Sequence, residues 1–550
     1  MPRGNLSAFI LNQPLFFFCQ FIHDLSLNYF FLFLREGVKK NNDVHNRKVK
    51  MADYDLIIIG SGAGGGTLAY KLKDSGMKIL IIERGDYLPR EKENWDPHAL
   101  FLEERYNNAE KWYDKKGNPF TPGTHYYVGG NTKFYGAALL RLRERDFEEV
   151  QHFGGISPAW PLKYRDFQPY YLEAETLYSV HGLRGSDPIE PEESAPYPFP
   201  PVSHEPRVQE IVDNLKKKDI HVFHLPVGIR LREDNREKSS CIRCDTCDGF
   251  PCLVDAKADS HTTCIRAALQ SPSVTLLTKT KALKLNKEGK RIVSVDVDSP
   301  DGPKTLTADR FVLSCGAINT AALLLRSQNL ANQSDCVGRH YMCHNNSAIV
   351  ALSKKRNPTK FQKTLGINDY YYGDGEDSHP LGHIQLLGKV KKEMLAGDSP
   401  PFTPNFALDE LAEHAMGWWI TSEDLPDPEN RITISKEGKL NLLYTPNNLE
   451  AHDKLYAKLK EILSPDEQTH IFSNSLYLAK KIPLAGVAHQ VGTCRFGEDP
   501  KSSVLDLNCK AHDLENLYVV DGSFFPSISG VNPALTIIAN ALRVGDHLKR

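Results

Sequence analysis

Two groups of residues, far apart in the chain, have types and spacings that fit chemistry. Gly60, Gly62 and Gly65 have the G-x-G-x-x-G spacing directly after the apolar run Leu56-Ile57-Ile58-Ile59. In such a turn the first glycine permits the sharp reversal, and the second lets backbone approach a pyrophosphate. The third lets the following helix, read here over Thr67–Ser75, pack closely on the strand. The helix start offers free N–H groups and the positive end of its dipole to phosphate. Glu83 lies 23 residues after Gly60, ends a second apolar run (Lys78-Ile79-Leu80-Ile81-Ile82), and is placed to accept from ribose hydroxyls. The motif occurs once and does not by itself separate FAD from NAD. Toward the other end, Asn516–Val520 reads as a strand running into an Asp521-Gly522 turn. A loop follows, and then a helix from about Val531 to Leu548 with Pro533 in its first turn. Upstream stands Ala488-His489-Gln490-Val491-Gly492-Thr493.

Taken with Val128-Gly129-Gly130-Asn131, these blocks make the chain resemble the glucose–methanol–choline (GMC) family of FAD-dependent oxidoreductases. The blocks stand in the family's order: the glycine motif, Gly129-Gly130-Asn131, His489-x-x-Gly492-Thr493, and Asp521-Gly522 with Asn532-Pro533-x-x-Thr536. Trp160-Pro161 with Tyr170, Tyr171 and Glu175, and Pro426-x-Pro428-x-Asn430-Arg431, resemble stretches in branches acting on sugars and polyols. The resemblance runs from about Asp53 to the C-terminus. It implies an enzyme that oxidises a CH–OH group of a sugar, polyol or other alcohol, passing hydride to flavin N5. By match, His489 is the base that takes the hydroxyl proton, since a neutral imidazole with an ordinary pKa near about 6.5 suits that step. Asn532 is the second catalytic position, where an amide NH₂ holds an oxygen gaining negative charge; it also reads as a helix N-cap. Gly130, Asn131, Ala282, Asp521, Gly522, Asn532, Pro533 and Thr536 carry over as cofactor contacts beside Gly60, Gly62, Gly65 and Glu83, with Ala282 offering a backbone amide to adenine. Some family members attach FAD through a His where this chain has Phe134, so non-covalent FAD is expected. The partners implied are a small-molecule alcohol and O₂ or another electron acceptor. Two other functions fit the same fold: a lyase or photoenzyme, and a flavin binder without turnover. Retention of both His489 and Asn532 favours alcohol oxidation. His125, His261, His340, His344 and His512 are read as surface or satisfied core residues.

Cys241-x-x-Cys244-x-x-Cys247-x₄-Cys252 places four of the eleven cysteines within twelve residues. The spacing fits zinc poorly, and no metal site is expected. It approaches the ferredoxin run, but the last gap is one residue long and Pro251 precedes the final Cys. Reduced structural thiols or a local disulfide rank first, and an iron–sulfur cluster on Cys241, Cys244, Cys247 and Cys252 ranks below them.

These sites require an α/β fold, α+β overall. It has a Rossmann-like FAD-binding domain of GMC type and a second, substrate domain built on an antiparallel sheet. The FAD domain is discontinuous (51–150, 255–345 and 500–550), with 151–254 and 346–499 forming the substrate side. Thr275–Leu283 reads as a strand entering a turn, and Phe311–Ala317 as a strand and turn before a helix at Asn319–Leu325. Pro188–Pro206 reads as an extended loop and Val208–Lys218 as an amphipathic helix. His383–Leu387, Gly417–Ile420 and Ile432–Ile434 are candidate strands of the antiparallel wall. Trp418 and Trp419, adjacent in a strand, should face opposite ways.

The whole chain is ordinary in composition: 550 residues, 41% hydrophobic, 25% charged, formal net charge −2. That argues against disorder and against a nucleic-acid-binding surface. Residues 1–50 differ, holding eight of the 25 Phe and a charge of +4, against −6 for the remainder. Polar residues interrupt the stretch, so neither a membrane span nor a secretory signal is well supported. Met51 reads as a natural start, which makes residues 1–50 translated upstream sequence; an amphipathic membrane-surface segment is the second reading. A cytoplasmic location follows as an expectation, with membrane association resting on residues 1–50 alone. Mass spectrometry of the native N-terminus decides the start, because peptides from residues 1–50 would overturn it.

Overall fold

Uniformly apolar, β-branched runs build the first sheet. The structure is a computed structural model that describes residues 52–191, 195–375, 379–397, 399–400, 402–464 and 477–550, so the expectations about residues 1–50 lie outside the described residues. Strand β1 (Tyr54–Ile59) buries Leu56, Ile57, Ile58 and Ile59, as a strand covered on both faces must. It pairs in parallel with strand β2 (Ile79–Ile82) on one side and with the second half of Gly302–Leu313 on the other. Val274–Leu277 adds in parallel beyond β2, and Leu517–Val519 beyond Gly302–Leu313. The first half of Gly302–Leu313 turns to antiparallel pairing with Arg291–Ser299, which pairs with Lys281–Glu288, completing seven strands. Three remote stretches of chain thus meet in one mostly parallel sheet. Lys281–Glu288 corrects the expectation of a turn at Lys279–Leu283, because Ala282 sits in a strand opposite Val297, with a register slip before Lys284.

Helix α1 (Ala63–Leu72) starts four residues earlier than its residue types indicate. Three successive glycines are poor helix formers, but here packing decides. A Cβ on Gly64 would stand 2.1 Å from the Val520 carbonyl oxygen, one on Gly65 2.0 Å from that of Gly60, and one on Gly66 2.0 Å from Ser260 Oγ. The first turn of α1 is pressed against neighbouring chain on three sides, and only glycine fits.

The second sheet is antiparallel throughout, with six strands in the order Tyr477–Lys481, Asn345–Leu352, Ala415–Ser422, His383–Leu386, Leu365–Ile367 and Val222–His224. One face carries Ile349, Ile384, Leu386, Trp418 and Ile420, and packs on helices Pro206–Lys216 and Leu449–Leu463. Trp418 is fully buried there while Trp419 is only half-buried, the alternation expected of a strand. Arg431–Ile434 does not join this wall. Gly438, with φ +81°, and a Ser435 N–H bond to the Lys439 carbonyl close a local hairpin instead, which pairs it with Leu440–Leu443 in a separate four-stranded sheet.

Helix Tyr164–Leu177 ties the two halves of the chain together. Trp160 Nε1 donates to Ser527 Oγ at 2.9 Å, and Tyr171 OH meets Thr536 Oγ1 at 2.9 Å. Glu175 receives Arg141 through two 2.7 Å bonds and is fully buried; Arg184 Nη2 is a second partner at 3.2 Å. The Trp160, Tyr171 and Glu175 block therefore braces the fold. Glu175→Ala would leave the Arg141 cation buried without its partner, and an unpaired buried charge costs about 3–5 kcal/mol. Chemical denaturation should show a loss of that size.

Candidate active site

The glycine loop is built against the Gly129-Gly130 pair. The Gly129 N–H donates to Ser61 Oγ at 3.0 Å, and a Cβ on Gly130 would lie 3.3 Å from Gly62 Cα. Gly60 has φ +105° and no room for a side chain, since its Cβ would stand 2.1 Å from the Ser314 carbonyl oxygen. Gly62 differs: a Cβ there meets nothing within 4 Å. It therefore faces open space at the N-terminus of α1, where the first N–H groups have no intrahelical partner. Glu83 directly follows β2 and braces the loop, its Oε2 accepting from the Ser61 N–H at 3.1 Å and Ser61 Oγ at 2.6 Å. Burial pushes its carboxyl above the usual range. The segment leading to Ala282 runs beside it, with the Thr280 N–H donating to the Glu83 carbonyl at 2.9 Å. Asn131 turns away, its Oδ1 accepting from the His125 N–H at 2.8 Å and its Nδ2 donating to the Gly123 carbonyl at 3.3 Å. It fastens the loop before the glycine pair.

Asp521 closes the other side. Its Oδ2 accepts from the Gly316 N–H at 3.0 Å and its Oδ1 from the Ser523 N–H at 2.9 Å, with burial raising its pKa. The Gly522 carbonyl accepts from the Gly492 N–H at 3.1 Å, and the Ser523 carbonyl from the Cys494 N–H at 2.8 Å. These bonds dock the His489–Cys494 segment alongside the turn. Pro533, not Asn532, occupies the cap position of helix Ala534–Leu548, which corrects the N-cap expectation. The Asn532 side chain goes instead to His489, Nδ2 to Nε2 at 3.2 Å. Residues 43 apart are thus brought together. Thr536 is held by Tyr171 and is fully buried.

His489 is neutral here: burial and the nearby Lys363 ammonium push it down to about 4, with Asp248 acting the other way. Lys363 and Asp248 form a pair at 2.8 Å. That pair was not singled out from the sequence, and neither was His344. An antiparallel bridge pairs Met342 with Val491, so two residues further along His344 comes opposite His489, Nδ1 to Nδ1 at 3.0 Å. His344 is 3% exposed with both ring nitrogens bonded, a satisfied core histidine as its residue type led one to expect; what the sequence did not show is its place beside the catalytic candidate. No local motif marks it, because only the pairing of two distant segments creates the contact.

The cysteines follow a different logic. Cys241, Cys244, Cys247 and Cys252 are free thiols. Burial pushes Cys241 up to about 11 and Cys247 up to about 12. Among the described residues no group of three or more His, Cys, Asp or Glu is placed to hold a metal ion, so the iron–sulfur reading finds no support. The loop is held by other means: Lys257 Nζ donates to the Cys247 and Phe250 carbonyls, each at 2.6 Å, and Trp95 Nε1 to the Pro251 carbonyl at 3.1 Å. Phe134, at the position of the family's covalent His, stacks on His125 with ring centroids 3.8 Å apart. A phenyl ring has no nucleophile, so acid or heat denaturation should release all of the flavin; flavin left on the denatured chain would contradict this.

Profiles described as GMC oxidoreductase match residues 127–346 and 426–541, and one described as an NAD(P)-binding Rossmann-like domain matches residues 58–115. The chain belongs to the GMC oxidoreductase family, flavoenzymes that act on CH–OH groups. It is 29% identical to paromamine 6'-oxidase of Streptomyces fradiae, over 89% of this chain and 90% of that protein. It is 25% identical to 2-methyl-1,2-propanediol dehydrogenase of Mycolicibacterium austroafricanum, over 90% and 95%. The solved structure of pyridoxine 4-oxidase from Mesorbium loti shares the fold, with a TM-score of 0.63 and 17% identity over 90% of this chain and 98% of that one. Among the described residues no helix is long and apolar enough to cross a membrane.

Proposed function

We propose that this enzyme is an FAD-dependent alcohol oxidoreductase in which His489 takes the hydroxyl proton and Asn532 holds the substrate oxygen. The observation that carries this is the 3.2 Å approach of Asn532 Nδ2 to His489 Nε2, on segments docked beside the glycine loop. The loop fits a dinucleotide: Gly62 borders open space at a helix start, and Gly60, Gly65 and Gly130 permit close backbone approach. Glu83, Asn131, Ala282, Asp521, Gly522, Pro533 and Thr536 complete the proposed set of cofactor contacts. FAD, when bound without a covalent link, supplies the two-electron acceptor for the hydride. The chain's own task is to orient the alcohol and move its proton. A neutral His489 accepts the hydroxyl proton at Nε2, while the Asn532 amide N–H groups stabilise the oxygen as it gains charge. The domain division given from sequence, with 151–254 and 346–499 forming the substrate side, is part of the same proposal.

Paromamine, pyridoxine and 2-methyl-1,2-propanediol, for which similar proteins are named, head the panel of alcohols to test. Steady-state assays in the dark, with O₂ and then with a quinone acceptor, should yield a carbonyl product trapped by a hydrazine. No product from any alcohol with either acceptor would overturn the proposal.

A further inference from the structure

His344 and His489 meet through their Nδ1 atoms at 3.0 Å, with ring planes 84° apart. Such a contact is favourable only when one nitrogen carries a proton and the other does not. The remaining nitrogen of His344 decides which. His344 Nε2 lies 2.9 Å from the Ser529 carbonyl oxygen, and a carbonyl only accepts. Nε2 of His344 therefore carries the proton. Burial and the neighbouring His489 keep the His344 ring neutral, well below its ordinary pKa, so its Nδ1 is a lone pair. The proton between the two rings then belongs to His489 Nδ1, and His489 Nε2 is left as the lone pair directed at Asn532 Nδ2. Both nitrogens of His344 are engaged, so it has none free for a substrate.

The surrounding chain is shaped for this contact. His344 has φ +63° and Ser529 φ +61°, a left-handed conformation that residues other than glycine seldom adopt and that persists only where neighbours enforce it. The Ser529 N–H is held by Glu423 Oε1 at 3.1 Å, and the Gly530 N–H by Tyr371 OH at 3.0 Å. Glu423 is itself fixed by Ser157 Oγ, which donates to its Oε1 at 2.8 Å. The result aims the Ser529 carbonyl at His344.

We propose that His344 is a positioning residue that fixes the tautomer of His489, placing the proton on Nδ1 and the basic lone pair on Nε2. Its catalytic consequence rests on the reading of His489 as the proton acceptor, whereas the tautomer itself does not. When His489 takes a proton at Nε2, its Nδ1–H still donates to His344, and that bond becomes charge-assisted.

Two measurements test this. In holoenzyme labelled with ring-¹⁵N histidine, the His489 signals, identified by their loss in His489→Asn, should show a protonated Nδ1 and a bare Nε2. In His344→Phe that tautomer should be lost and kcat should fall by up to about 10⁴-fold, as when a catalytic histidine is left in the wrong tautomer, with flavin content kept. His344→Gln offers an acceptor and a donor on one planar group and should recover to within about tenfold of wild type. A wild-type His489 protonated at Nε2 would overturn the proposal. So would an unchanged tautomer and kcat in His344→Phe, or equal impairment of the Phe and Gln variants. If His344→Phe does not fold, the wild-type spectrum and His344→Gln still decide. If no alcohol is turned over, the proposed function fails, and the spectrum tests His344 independently.

Discussion

His489→Ala is expected to bind FAD as wild type does and to lose about 10²–10⁴-fold in kcat, the range for removing a positioned general base. The partners of the imidazole are Asn532 and His344, so the flavin site should survive its removal. The pH profile adds a sign. His489 accepts a proton only when neutral, and burial holds it at about 4. The acidic limb of kcat/KM in wild type should therefore lie near pH 4, well below the ordinary value of about 6.5. Because the folded protein binds this proton less readily than the unfolded chain, stability from this site is fully present above about 6.5 and is lost as pH falls toward 4. Near-normal turnover in His489→Ala would remove the residue from the mechanism.

Gly62→Ala and Gly65→Ala should fail in different ways. Gly62 has φ −69° and ψ −162°, which alanine adopts freely, and its new Cβ meets no protein atom within 4 Å. Folding stability should hardly change. The methyl group would occupy space expected to admit the pyrophosphate, at a cost of about 1–3 kcal/mol in flavin affinity, roughly a tenfold to hundredfold rise in Kd. In Gly65→Ala the Cβ would stand 2.0 Å from the Gly60 carbonyl oxygen, so α1 must move away from β1. That variant should lose thermal stability as well as flavin. Flavin titration with thermal melts of both proteins separates the cases. Normal flavin affinity in Gly62→Ala would mean that the open space beside it is not the phosphate site.

The same contrast shows what could be read from the residues alone. The parallel strands were legible because Leu56–Ile59 and Ile79–Ile82 are apolar without alternation, which only a doubly covered strand tolerates. The start of α1 was not, because its glycines look like a loop until Val520 and Ser260 are packed against them. Arg431–Ile434 has the composition of a wall strand, but the hairpin closed by Gly438 captures it first. His489 and Asn532 stood out through their flanking motifs, and the fold brings them to 3.2 Å. His344 carried no such mark: its place depends on the pairing of Met342 with Val491, a contact between segments about 150 residues apart. Non-local pairing of this kind leaves no local periodicity to find.

The most direct measurement is anaerobic mixing of wild-type holoenzyme with the alcohol panel in the dark, following the flavin's visible absorption band. The expected result is bleaching by at least one alcohol, with one carbonyl formed per flavin, and the same reaction about 10²–10⁴-fold slower in His489→Ala. A flavin that dithionite reduces but no alcohol bleaches, or one bleached equally fast in the variant, would contradict alcohol oxidation through His489.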